Sequence, residues 1–384
     1  MDRWDQAREL MLEFSLRTGL SPAGQSVQRY LWTDAFAVCN FLGISVEMGD
    51  GLLRKLALDL VAQVHQTLGR HRADDDRTGW ISGLSEREGE LHPTQGGMRI
   101  GKPLPERTPT EPFDEASEWN RDGQYFHYLT QWMRALESAS RVVEEPRYHR
   151  WAVELAKTAH SGFTSLPGQH PPTRMRWKMS IDLRYPLVDT MGHHDPITGF
   201  VAYTELQATA RSDPTLDLSR ELSDLAAICE GQDLVTSDPL GIGGLLSDAC
   251  RFAQLRTGGA EGPDSLIPRL LESALLGLPA CTASAWWLRP AVDRLAFREF
   301  GLSIGLHGMR RLTRVLQKHP LSGIRQQETA RLLDDLAEYR HLSEEIETFW
   351  LSPSNRNAES WRAHRDINDV MLATSLAPAG YLSA

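Results

Sequence analysis

The side chains best suited to chemistry concentrate in one stretch, Arg174–Glu205, RMRWKMSIDLRYPLVDTMGHHDPITGFVAYTE. It holds Trp177, Lys178, Asp182, Arg184, Tyr185, Asp189, His193, His194 and Asp195, and it lacks a clean helical or strand period. Irregular polar backbone beside a rigid scaffold is where binding and catalytic groups tend to sit. A second cluster, Glu118, Trp119, Arg121, Asp122, Tyr125 and His127, stands at the entry to an expected helix. Aromatic faces that can cover the apolar side of a sugar ring, next to carboxylates that can bind its hydroxyls, are what a carbohydrate site requires.

Glycoside hydrolysis needs two carboxyl groups flanking the scissile bond, about 5–5.5 Å apart for retention and roughly 6.5–9.5 Å for inversion. Glu118 and Asp122 are four residues apart, so one helix would carry both on one face. Two acids so placed cannot easily flank a bond, and one of them is paired here with Asp182 as acid and base. Competing readings are local: first-turn acids complement a helix dipole, and Asp182 could be a surface acid paired with Arg184. His193 and His194, just before an expected helix, could titrate near neutrality. His194 is the candidate acid or base and His193 a substrate contact, with His127 or His307 as the distant partner. The substrate-binding set is completed by Trp119, Arg121, Tyr125, His127, Trp177 and Lys178, with Trp32 and Asp34 on an earlier helix. Asp195 precedes Pro196, and the same pair recurs at Asp213-Pro214 and Asp238-Pro239. An N-cap aspartate followed by a first-turn proline accounts for all three. There is no HExxH, and neither a metal nor a cofactor is expected.

The elements that must position these groups read as helices. Apolar residues at helical spacing predict them at about 3–17, 30–42, 51–68, 119–141, 146–162, 196–210, 217–230, 239–256, 265–277, 291–316, 324–350 and 358–376. No run of alternating strands interrupts them. Gly301, Gly305 and Gly308 fall on one side of their helix and would admit a close backbone. Residues 71–118 form a long irregular segment with apolar anchors, read as an ordered loop or lid. Short turns alternating with longer loops suit stacked helical hairpins in a single domain, 1–384.

The formal net charge of −10, without a basic stripe, argues against a nucleic-acid partner. No apolar run reads as a membrane-spanning helix, and the N-terminus lacks the pattern of a signal peptide, so a cytoplasmic location is expected. Cys39, Cys229, Cys250 and Cys281 lie far apart among apolar neighbours and are expected to be buried free thiols.

Three stretches carry a family resemblance: Arg29–Phe36 (RYLWTDAF), Glu118–Tyr125 (EWNRDGQY) and Trp177–Leu183 (WKMSIDL). They resemble the six-hairpin, (α/α)6-toroid group, which includes many glycoside hydrolases and the N-acylglucosamine 2-epimerases. The resemblance implies an all-α toroid of about twelve helices and a small-molecule carbohydrate substrate. Epimerases of that group use histidines as acid and base on either side of a sugar carbon. The leading expectation is a glycoside hydrolase-like enzyme with a carboxylate pair. The alternatives are a sugar 2-epimerase-like isomerase with a histidine pair, and a carbohydrate-binding or interaction protein without turnover.

Overall fold

The computed structural model describes residues 2–22, 27–164, 172–210, 213–283, 285–321 and 323–384. Helices dominate, as the periodicity predicts, and their contacts divide the chain into two compact units. One unit comprises Met1–Phe14 with Gln232–Ala384, and the other comprises Ser15–Gly231.

In the unit Ser15–Gly231, the helix Leu31–Met48 packs on Gly51–Leu68 and on Phe126–Val143. Phe126–Val143 in turn packs on Pro146–Thr164 and on Asp195–Thr209. The stripe expected on the third predicted helix is the buried one: Leu53, Leu56, Leu60, Val64 and Leu68 are all inaccessible. Asp50 caps that helix by accepting from the backbone N–H groups of Leu52 and Leu53.

Three short strands depart from the all-helical expectation: β1 Gln124–Tyr125, β2 Lys178–Met179 and β3 Pro186–Val188. They pair antiparallel in the order β1-β2-β3, which places Tyr125 opposite Lys178. The helix predicted at 119–141 therefore begins at Phe126. Glu118 ends a four-residue helix, Glu115–Glu118, and Asp122 lies in the connection, so the two acids do not share a helix face. The segment 71–118 is tied to this sheet and its surroundings by the arginines described below.

In the other unit, Pro239–Thr257 packs along Ala296–Lys318, and against Leu266–Ala283. The glycines explain how closely the first pair approaches. A Cβ on Gly305 would come 2.6 Å from the Gly243 backbone, and one on Gly243 would strike the Gly301 carbonyl. Gly308 instead faces side chains at ordinary contact distance. Leu266–Ala283 has the length and hydropathy of a membrane-spanning segment, which the sequence reading did not register. It carries Arg269 and Glu272 and packs on Pro239–Thr257 and Ile324–Ala337. The expected helix 324–350 is two helices, Ile324–Ala337 and His341–Leu351. All four cysteines are buried and free.

Candidate functional site

The antiparallel register of β1 and β2 builds the centre of the site. Tyr125 and Trp177 lie with ring centroids 5.1 Å apart, and Trp119 meets Trp177 edge-on at 5.4 Å. The band continues from Tyr125 to His127 at 5.3 Å and to Tyr128 at 5.2 Å. It reaches Trp32 through both of those rings, and Tyr30 through a Tyr30–Tyr128 hydroxyl contact of 2.6 Å. Burial pushes the Tyr30 phenol up to about 12, against the pull of the Tyr128 hydrogen bond. Trp119, 48% exposed, is the open end of the band. Six of the sequence-derived candidates, Trp32, Trp119, Tyr125, His127, Trp177 and Lys178, thus belong to one contiguous set. Tyr128 and Lys102, whose ammonium lies 5.3 Å from the Tyr30 ring centre, were not singled out in the sequence. Tyr128 is adjacent to His127, so the aromatic run Tyr125-Phe126-His127-Tyr128 was the available signal.

The candidate carboxylates are heavily engaged. Lys178 is inaccessible and donates to Glu118 Oε1 at 2.8 Å, to the Glu118 carbonyl at 2.8 Å and to the Arg121 carbonyl at 2.9 Å. Burial lowers the pKa of Lys178, partly offset by the Glu118 charge. The other oxygen of Glu118 accepts from Arg107 at 3.1 Å. Asp122 is inaccessible, and one of its oxygens accepts from Arg72 and Arg99. The other accepts from the backbone N–H groups of Gly101 and Gly123. Asp182 accepts from Arg77 at 3.0 Å, from the Ser180 hydroxyl at 2.8 Å and from the Arg184 backbone N–H at 3.2 Å. Arg77 also holds Asp75 and Glu106, so Asp182 belongs to a network anchored in the long segment 71–118. Asp34 accepts from Arg29 and from the Tyr30 backbone N–H, tying down the start of its own helix. Arg121 is paired with Glu111 at 3.3 Å.

Asp195 behaves differently from its two sequence analogues. Asp213 and Asp238 do cap their helices, accepting from the N–H groups of Thr215 and Gly241. At the third site the N-cap is His194, without a side-chain cap bond, and Asp195 is the first helical residue. Its carboxylate turns inward, is 8% exposed and lies 3.6 Å from His127 Nδ1. Gly192 leaves the room: a Cβ there would come within 2.3 Å of that carboxylate. The capping assignment does not hold, because the helix starts at Asp195 with His194 as its N-cap. Both His127 Nδ1 and Asp195 Oδ2 are buried without a hydrogen bond. Immediately before Asp195, His193 and His194 stack on each other with centroids 4.5 Å apart. His307, the other proposed histidine partner, lies in the unit Met1–Phe14 with Gln232–Ala384. There it meets Glu347 at 2.7 Å. Among the described residues, no three histidine, cysteine or acidic groups are gathered as a metal site.

No family model matches the chain, and no curated protein does. Solved structures do align with it. A cellobiose 2-epimerase from Spirochaeta thermophila DSM 6192 has 12% identity and a TM-score of 0.46, covering 89% of this chain and 98% of its own. A cellobiose 2-epimerase from Bacillus thermoamylovorans B4167 has 8% identity and a TM-score of 0.44, covering 84% and 76%. A sugar epimerase from a ruminal bacterium has 11% identity and a TM-score of 0.42, covering 81% and 76%.

Proposed function

We propose that the chain is a carbohydrate-active isomerase of the 2-epimerase type, working on an (α/α)6 scaffold, with His127 as a proton-transferring base. The supporting observation is the His127–Asp195 pair, 3.6 Å apart beside a continuous aromatic band. A carboxylate facing Nδ1 favours the tautomer with the proton there, which leaves Nε2 as the atom that exchanges protons. In this reading an open-chain aldose loses its C2 proton to His127, giving an enediolate. His194, with His193 stacked on it, returns a proton to the opposite face of C2. Trp119, Trp177 and Tyr125 cover the sugar ring or a second sugar unit, with the Trp32 ring 5.8 Å from His127.

The carboxylate-pair reading has less support. A hydrolytic general acid has to donate a proton to the leaving group and a partner has to reach the anomeric carbon or a water. Glu118, Asp122 and Asp182 each have both oxygens occupied by lysine, arginine, hydroxyl or backbone N–H donors. Such partners hold a carboxylate in one position. These three residues are accordingly proposed as the frame that sets Lys178 and the sheet, with Lys178 supporting Tyr125 from 5.3 Å.

The reading is tested by incubating the protein with a panel of aldoses and reducing disaccharides in D2O and following C2 by NMR. Loss of the C2 proton signal, with growth of the C2 epimer, is the expected result. Release of aryl alcohol from aryl glycosides, without C2 exchange, would instead restore the hydrolytic reading.

A further inference from the structure

A cleft of about 640 Å³ opens between the helix Pro146–Thr164 and the hairpin formed by β2 and β3. Its volume is that of a small-molecule site, yet its lining is polar, unlike the mostly apolar wall of most such sites. Lys157, Arg176 and Arg184 contribute three cations, with Gln95, Thr158 and Ser161 between them. Among the described residues that line it there is no carboxylate, in a chain whose formal net charge is −10.

The cations are held by the fold. Lys157 donates to the Thr215 carbonyl at 2.7 Å, and, beside the hydrogen bonds of Thr215 and Ser219, its charge helps hold the Asp213 and Asp217 carboxyls below their ordinary values. The nearby acids Asp213 and Asp217 are occupied with the turns at Thr215 and Ser219. Arg176 is 15% exposed and braced by Asp189 at 3.1 Å. Arg184 is 82% exposed, with Asp182 3.4 Å away. Its position is fixed through the backbone: the Ser180 hydroxyl accepts from the N–H groups of Arg184 and Tyr185, at 3.0 and 3.2 Å. Leu183 sits in the left-handed region at φ 60°, a conformation that costs a branched side chain energy and that gathers at functional turns. Its side chain packs over Gly162, where even a Cβ would come 3.0 Å from Leu183 Cδ1. Leu183, Gly162 and Met179 thus line the same cleft as the cations.

We infer that this cleft binds a phosphate monoester carried by a small molecule. Two guanidinium groups and an ammonium suit a dianion whose oxygens accept several hydrogen bonds at once. The hydroxyls of Thr158 and Ser161 suit the polar remainder of the ligand. This site does not depend on the epimerase reading, because neither His127 nor Asp195 lines it.

The test is isothermal titration of the full chain with inorganic phosphate, glucose 6-phosphate, citrate and glucose, in the wild type and in Lys157→Ala/Arg184→Ala. Glucose 6-phosphate should bind at least tenfold more tightly than inorganic phosphate, and any glucose binding should be the same in wild type and double variant. The double variant, with an unchanged melting temperature, should weaken glucose 6-phosphate at least tenfold. Arg176→Lys, which keeps the charge but loses the fork, should weaken it severalfold. Absent binding at 10-fold above millimolar ligand, binding equal in wild type and double variant, or a preference for citrate would each overturn the assignment.

Discussion

His307–Glu347 and His127–Asp195 bring together the same two chemical groups in opposite states of hydrogen bonding. Glu347 is 3% exposed and accepts from His307 at 2.7 Å, from Ser375 at 2.7 Å and from Arg3 at 2.8 Å. Burial alone would raise its pKa, but the hydrogen bonds from His307, Arg3 and Ser375 outweigh it and hold the carboxyl below its ordinary value. Every group in that network has a partner that fixes it, so it fastens the helices Ala296–Lys318, His341–Leu351 and Arg365–Leu376 to the N-terminal arginine. Asp195 and His127, by contrast, each keep a buried polar atom unbonded. The saturated pair suits a stabilising role, and the pair with capacity left is the one proposed above for proton transfer. The same distinction separates Asp195 from Glu118, Asp122 and Asp182.

The comparison can be broken by substitution. Glu347→Gln should destabilise the protein by about 1–3 kcal/mol in denaturant unfolding, because His307 and Ser375 lose a buried charged acceptor. Asp122→Asn should lower the unfolding midpoint strongly as well, since Arg72 and Arg99 share that carboxylate. Unchanged stability in either variant would contradict the view of these acids as fixed frame.

A pH effect sharpens the same point. His65 accepts from Trp132 Nε1 at 3.2 Å, and burial lowers its pKa to about 3. Its folded pKa lies below its ordinary 6.5, so the unfolded chain binds the extra proton first. This contribution to stability is complete above about pH 6.5 and is lost as pH falls toward 3. Between pH 6.5 and pH 5 it should amount to about 2 kcal/mol. Denaturation curves at both pH values measure it, and His65→Gln should flatten the slope. The smallest effect belongs to the exposed rim: Trp119→Ala should raise KM a fewfold with kcat and melting temperature nearly unchanged.

The parts of the fold that follow local rules were legible in the sequence. The helices 3–17 and 51–68 end where their apolar stripes end. The split at residues 338–340 was not, because no glycine or proline marks it, and the His341 ring meets the Glu338 carbonyl there at 2.7 Å. The two- and three-residue strands are too short to leave a period, and they exist only because residues 124–125 meet 178–179. The site was half legible. Tyr125, His127, Trp177 and Lys178 do converge, but the arginines that occupy the carboxylates come from the aperiodic segment 71–118, where pairing leaves no pattern. Asp195 was misread because Asp-Pro is a sound local signal for a cap, whereas this helix starts at Asp195 with His194 as its N-cap.

The most direct test is C2 deuterium exchange measured in His127→Asn, Asp195→Asn and His307→Asn side by side with their melting temperatures. The account predicts that His127→Asn and Asp195→Asn each lower exchange by about 10²- to 10⁴-fold while remaining folded. His307→Asn should instead lower the melting temperature, with exchange by the folded protein largely retained. Exchange that survives loss of His127, or that vanishes only with His307, would contradict the assignment of the proton-transfer site.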